Sequence, residues 1–130
     1  MSKTRMNRIP AIAAAIVMAA STSIAQADPA FKWRIQFGDY TSNDGTITFR
    51  FTPEGGTAVD VETKLTKGTG ASSTARAVKD SLKVSLGEGY KVETDDGQDV
   101  IVRANSNTPK FDLALAGSTL AGLRVRFRKE

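Results

Sequence analysis

Alternating hydrophobic and polar residues dominate the chain from residue 31 onward. In the segment FKWRIQF, residues 31–37, every odd-numbered residue is apolar and every even-numbered residue is polar. This period of two is typical of a strand with one buried and one exposed face. Six later segments follow the same pattern, at residues 47–51, 59–65, 90–93, 100–102, 111–115 and 123–128, although Ile101 breaks the strict alternation of its segment. The pattern predicts about seven strands.

One segment follows a helical period instead. Between residues 72 and 86 the apolar residues recur every three or four positions, which places them on one stripe of a helix. Ser72 or Ser73 is placed to cap its N-terminus, and Gly87 is placed to end it. The stripe consists of Ala75, Val78, Leu82 and Leu86.

Together these elements predict a single α+β domain in the order three strands, one helix, four strands. We expect a mainly antiparallel sheet with the helix, at about 72–86, packed on one face. A sheet this wide is expected to curl or fold over itself to bury its remaining apolar residues.

Two turns predict which strands pair. A three-residue loop at residues 95–97 places Val92 opposite Val100 and keeps the apolar residues of both strands on one face. The loop at residues 43–45 by the same reasoning pairs the first strand with the second. Consecutive strands are therefore expected to be antiparallel neighbours.

Residues 1–27 have the organisation of a cleavable bacterial signal peptide. Three basic residues fall between positions 3 and 8, and a mostly apolar stretch follows at 9–20. This stretch is too short for a transmembrane helix, which needs about 20 apolar residues. Residues 25–27, Ala-Gln-Ala, match the small-x-small cleavage signal. We predict a periplasmic or secreted protein whose single domain comprises residues 28–130, with no transmembrane segment.

The composition excludes several chemistries. The chain contains no histidine and no cysteine, so Ser-His-Asp catalysis, Cys-His catalysis and thiolate or imidazole zinc sites are impossible. It has 18 basic and 14 acidic residues, but three of the basic ones lie within residues 1–27. The remaining chain is nearly neutral, so a specific nucleic-acid partner is not expected.

The basic residues of the first and last strands are candidates for anion binding. On each strand they form a row in which successive basic residues are about 7 Å apart, since each residue rises by ~3.3 Å. Guanidinium groups bind phosphates and sulfates through a fork of donors. The alternative interpretation is a solvated sheet face that protects an edge strand from pairing. The candidates are Lys32, Arg34, Arg124, Arg126 and Arg128.

An acidic run is a weak metal candidate. Asp95, Asp96 and Asp99 surround a glycine, as calcium ligands often do. Their spacing does not match an EF-hand loop, and the preference of Asp and Gly for turns explains them equally well. We predict no metal and no cofactor.

No pair of carboxylates has an apolar setting that would raise a pKa for acid–base chemistry, so we predict that the protein is not an enzyme. We expect a small binding protein that acts through its polar sheet face, with a protein or an anionic envelope polymer as partner. Two alternatives remain open. One is a structural subunit that self-assembles through sheet edges, and the other is a protein inhibitor or immunity factor of a hydrolase. The sequence leaves the ligand and the oligomeric state open.

Overall fold

The order of elements is the predicted one. The computed structural model describes residues 28–130, and the predicted signal peptide lies outside the described residues. The α+β class and the helix are confirmed. The elements are β1 (Lys32–Asp39), β2 (Gly45–Pro53), β3 (Val59–Leu65), α1 (Ala71–Leu86), β4 (Tyr90–Asp95), β5 (Asp99–Ala104), β6 (Phe111–Ser118) and β7 (Leu123–Lys129).

The seven strands divide between two antiparallel sheets. The larger sheet has the strand order β4-β5-β1-β7, and the smaller has the order β3-β2-β6. The alternating strands turn their apolar residues toward one common core, as sheets with one wet face do. Helix α1 packs against β3 of the smaller sheet and against β1, β4 and β5 of the larger, so it covers one side of this core.

Aromatic rings join the two sheets at the centre of the core. Phe49 on β2 is fully buried and meets two rings of the larger sheet edge-on. Its ring centroid lies 6.4 Å from that of Phe37 on β1 and 5.9 Å from that of Phe127 on β7. The strand parity that the sequence predicted thus positions the interior residues of both sheets.

The predicted pairing of β1 with β2 is wrong. β1 pairs with β5 and β7, whereas β2 pairs with β3 and β6. The intervening Thr41 is fully buried and binds the loop before α1 instead of a hairpin partner. Its N–H donates to the carbonyl of Thr69 at 3.0 Å, and its hydroxyl donates to the carbonyl of Thr66 at 2.6 Å. These bonds fix Thr41 at the point where the chain passes from the larger sheet to the smaller one.

The hairpin of β4 and β5 forms, but its predicted register is shifted. Val92 lies opposite Val102 rather than Val100, because the turn begins one residue later than expected. Asp96 has a φ of 54° and Gly97 a φ of 76°, so both central residues adopt the left-handed region. Asp tolerates this conformation better than most residues do. A shift of two positions leaves the faces of the strands unchanged.

The predicted serine cap of α1 is also wrong. The helix begins at Ala71 with Gly70 as its N-cap, and no side chain caps it. The first bond runs from the N–H of Thr74 to the carbonyl of Gly70 at 2.9 Å. The helix therefore starts one residue earlier than predicted, which moves Ser72 and Ser73 beyond the capping position. Gly87 ends the helix with a φ of 75°.

The charged outer face as candidate functional site

The candidate basic residues share one surface, the face of the larger sheet that points away from the core. We call it the outer face. Arg34 lies opposite Arg128 and Gln36 lies opposite Arg126, so even-numbered residues of β1 and β7 project together. All five predicted candidates are on this face: Lys32, Arg34, Arg124, Arg126 and Arg128.

Arg34 is held by three carboxylates. Its Nη1 lies 2.6 Å from Oδ2 of Asp99 and 2.9 Å from Oδ2 of Asp95, and its Nε lies 2.5 Å from Oε2 of Glu130. The Arg34 side chain is 13% exposed. The hydrogen bond to Glu130, followed by that to Asp99, raises the pKa of Arg34 above its ordinary value. Arg34 therefore organises the surface and has little capacity left for an external anion.

Two of the three weak metal candidates form ion pairs with Arg34. Asp95 and Asp99 lie directly opposite each other on β4 and β5, and both direct a carboxylate oxygen at Arg34. Asp96 lies in the turn between them. Within residues 28–130, no three acidic residues are grouped so that they could hold a metal ion. The chemistry of these carboxylates is ion pairing with a guanidinium group.

The Glu130 carboxylate contacts three basic residues at once. Besides Arg34, it binds Arg128 at 3.2 Å and lies 3.5 Å from the Nζ of Lys32. Its backbone N–H donates to the carbonyl of Lys32 at 3.0 Å, which continues the β1–β7 pairing. The hydrogen bond from Arg34 is the main cause that lowers the pKa of Glu130 to about 2.

A buried isoleucine lies among these charges. Ile101 interrupts the alternation of β5, yet it is 4% exposed. It faces outward between Glu93 on β4 and Arg34 on β1. Glu93 is bound by Arg103 at 2.7 Å. The aliphatic portions of such long side chains can cover an apolar residue while their charges remain in water.

Arg124 and Arg126 differ from the other basic residues. The Nε of Arg124 lies 3.1 Å from Oδ2 of Asp39, in a pair whose side chains are both more than half exposed. Its guanidinium group passes over Gly38, where a Cβ atom would be 2.9 Å from Nη2. Arg126 is exposed and forms no ion pair with any residue from 28 to 130.

These two arginines border a shallow recess of about 210 Å³. It lies beside Gly38, whose lack of a side chain makes room for the guanidinium group of Arg124. The recess offers two guanidinium groups and the side-chain amide of Gln36, which supplies further N–H donors. Such a set suits a carboxylate, sulfate or phosphate group. The recess is lined by Gln36, Phe37, Gly38, Arg124 and Arg126.

No protein-family model matches this chain, and no curated protein is similar to it in sequence. Among residues 28–130, no helix is long and apolar enough to span a membrane. The chemistry of the outer face is therefore the basis for a proposed function.

The sequence pattern located the basic residues of the outer face. It did not identify the residues that determine which of them can bind an external anion. Glu130 follows Arg128 at the same parity, which was a usable signal for its position on the outer face. The roles of Asp39 and Gly38 had no such signal, because they depend on the pairing of β1 with β7. That pairing joins strands separated by more than 80 residues.

Proposed function

We propose that this protein is an exported, non-catalytic binding module that recognises an anionic group of its partner through Arg124 and Arg126. The observation that carries the proposal is the guanidinium group of Arg126, which lies beside the recess at Gly38 and has no ion-pair partner within residues 28–130. The other basic candidates have internal partners: Glu130 binds Arg34 and Arg128 and lies near Lys32. An unpaired donor fork on an otherwise self-neutralised face favours an external anion.

The anion is part of a larger partner. An exposed ion pair contributes only about 0.2–1 kcal/mol. Arg126 and the exposed pair of Arg124 with Asp39 therefore give weak affinity for a free ion. Useful affinity requires a ligand that bears several charges or makes additional contacts. A protein segment and an anionic envelope polymer both meet this requirement.

The state of the carboxylates supports a non-catalytic role. Asp95, Asp99 and Glu130 are all bound to Arg34, and the pKa of Glu130 is about 2. A general acid or base works best with a pKa near the operating pH. Support for export comes from the composition of residues 1–27.

Assembly through sheet edges is the second candidate. It is favoured by β6 and β7, which are both terminal strands and so expose one edge each. Antiparallel pairing of two β7 strands would, however, place the arginine rows of two copies side by side. Like charges directly opposite each other are destabilising in a sheet. The β7 edge therefore favours a partner with a different charge over a second copy of itself.

The proposal is tested by titrating the purified protein with sodium sulfate and with a sulfated polysaccharide. Amide NMR shifts should localise binding to the recess, and calorimetry at two salt concentrations should show weaker binding at high salt. Arg126→Gln should lower the affinity roughly fivefold, the equivalent of one exposed ion pair. Arg76→Gln removes the same charge from the exposed surface of α1 and should leave affinity unchanged. Equal affinities for the two variants would refute the proposal.

A further inference from the structure

Strands β6 and β7 follow each other in the chain but do not pair. Each is the terminal strand of its own sheet. They are joined by residues 119–122, and Asn43 holds this connection in place. The Asn43 Nδ2 donates to the carbonyl of Thr119 at 2.9 Å, and its Oδ1 accepts from the N–H of Ala121 at 2.8 Å. The unpaired edges of β6 and β7 therefore begin on either side of this connection, which the bonds of Asn43 hold in place.

An apolar groove lies between these edges. Leu115 on β6 pairs with the fully buried Phe49 and has core parity, yet it is 44% exposed. From β7, Leu123 and Val125 reach the groove while remaining only partly buried. The groove has a volume of about 350 Å³, and Arg124 contributes to its rim as well as to the anion recess. The core thus opens to solvent along the line where a further strand would lie.

The backbone groups along both edges point toward this groove. Glu130 donates its N–H to the carbonyl of Lys32, so even-numbered residues of β7 face β1. Successive residues of a strand direct their polar groups to opposite sides, which leaves the N–H and C=O of Val125 and Phe127 on the open edge. On β6, Phe111 exchanges two bonds of 2.9 Å with Ala30.

Ala30 therefore covers only the beginning of the β6 edge. By the same alternation, Leu113 and Leu115 direct their backbone groups to the side where Ala30 binds Phe111. No other strand in the described part of the chain pairs with this edge. Donors and acceptors for an additional strand are available on both sides of the groove.

We propose that an extended segment of another protein adds to the β7 edge in this groove, and that its residues alternate between apolar and acidic. Its apolar side chains would enter beside Leu115 and Val125. Its acidic side chains would project to the outer face beside Arg124 and Arg126, because cross-strand neighbours lie about 4.5–5.5 Å apart. Main-chain bonds give affinity in this mode of recognition, and alternate side chains give specificity. The acidic part of this inference rests on the proposed function.

Charge disfavours the β7 strand of a second copy as the occupant. A second β7 would bring arginine against arginine, as argued above. A strand bonded on both sides must also have two free edges. Within residues 28–130, each strand already pairs with at least one neighbour, so a strand of a second copy could bond to both β6 and β7 only by leaving its own sheet. An unpaired acidic segment from another chain avoids both penalties.

The first experiment uses an acetylated and amidated octapeptide of alternating valine and glutamate. One control peptide contains the same residues in block order, with the valines first and the glutamates after them. The other keeps the alternation but has lysine in place of glutamate. We expect the alternating acidic peptide to bind the purified protein by calorimetry and to slow amide hydrogen exchange at Val125 and Phe127. Neither control should do so. Equal binding of the block peptide, or binding without protection at β7, overturns the inference.

Two variants separate this inference from the proposed function. Leu115→Asn places an amide in the groove and should weaken peptide binding at least tenfold without affecting sulfate binding. Arg126→Gln should weaken both, and Arg76→Gln should weaken neither. Sulfate binding that depends on Arg126, without any peptide binding, overturns the inference and leaves the proposed function standing. Peptide binding that Arg126→Gln does not change overturns the acidic part of the inference, whereas sulfate binding that Arg126→Gln does not change overturns the proposed function. Circular dichroism of each variant verifies that it is folded.

Discussion

Arg34 and Glu130 meet at 2.5 Å between Nε and Oε2, although 96 residues separate them in the chain. The contact exists because Glu130 extends the β7 pairing past Lys129, next to β1. Together with Asp39, Asp95 and Asp99, Glu130 supplies the carboxylates that pair with most of the basic residues of the outer face. The properties of the outer face therefore depend on which basic residues this carboxylate reaches.

Glu130→Gln is expected to reduce stability by about 1 kcal/mol at pH 7, the upper range for an exposed ion pair. The pKa of Glu130 falls from an ordinary 4.5 in the unfolded chain to about 2 in the folded protein. The unfolded state thus binds the proton more tightly, and the stabilisation present above pH 4.5 is lost as pH falls toward 2. Urea unfolding at pH 7, 4 and 2 should show the difference between wild type and variant shrinking. A difference that does not change with pH would contradict this assignment.

Arg34→Met is expected to destabilise the protein by roughly 2–3 kcal/mol, because it leaves Asp99 unpaired. Asp99 is 8% exposed, so water compensates little for the lost partner. Adding Asp99→Asn should restore part of the stability by removing the uncompensated charge. Arg103→Met is the matched control: its pair with Glu93 is about 40% exposed on both sides, so its loss should cost less than about 1 kcal/mol. Equal costs for the two single variants in thermal unfolding would argue against the network.

Gly122→Ala is expected to cost about 2 kcal/mol or more, since two effects add at this position. The φ of Gly122 is 88°, which other residues rarely adopt, and a Cβ there would lie 2.7 Å from the carbonyl oxygen of Tyr40. Gly55→Ala isolates the first effect, because Gly55 has a φ of 78° in open space. That control should cost about 1 kcal/mol. Chemical unfolding of both variants measures the two losses of stability. A loss for Gly122→Ala no larger than that for Gly55→Ala would show that the connection between β6 and β7 accommodates the Cβ atom and would contradict the prediction.

Export predicts a defined N-terminus. Protein expressed with residues 1–27 and recovered outside the bacterial cytoplasm should begin at Asp28 by intact mass. Ala27→Leu should block cleavage, because signal peptidase accepts only small side chains at that position. A matched Ala30→Leu variant lies beyond the cleavage site and should be processed normally. Recovery of the uncleaved chain from the cytoplasm would remove export from the proposal.

The elements were predictable because their signals are local, and the pairing was not. Alternation at Phe37 and at Phe51 identified both as interior residues of strands, and both are buried. Nothing within either strand states which neighbour it takes. Burial of Thr41 and its bonds to a loop 25 residues or more downstream place these two strands in different sheets. Pairing is thus a property of the assembled core.

The candidate site divides in the same way. Parity alone placed Arg124 and Arg126 on one surface. Their availability depends on Asp39 and Glu130, which reach them or their neighbours only after β7 pairs with β1. The open groove had even less of a signal, since Leu115 has the same pattern as a fully buried residue. Its exposure follows from its position on a terminal strand, where no further strand of residues 28–130 covers it.

The side chain of Asn43 affects the affinity with which the groove binds an extended segment of another protein. Its amide group binds Thr119 and Ala121 in the connection between β6 and β7, so the width of the groove is fixed before a ligand binds. A receptor shaped in advance loses little freedom on association. The entropic penalty then falls almost wholly on the incoming segment, so stiffening that segment is the most direct way to lengthen its residence time.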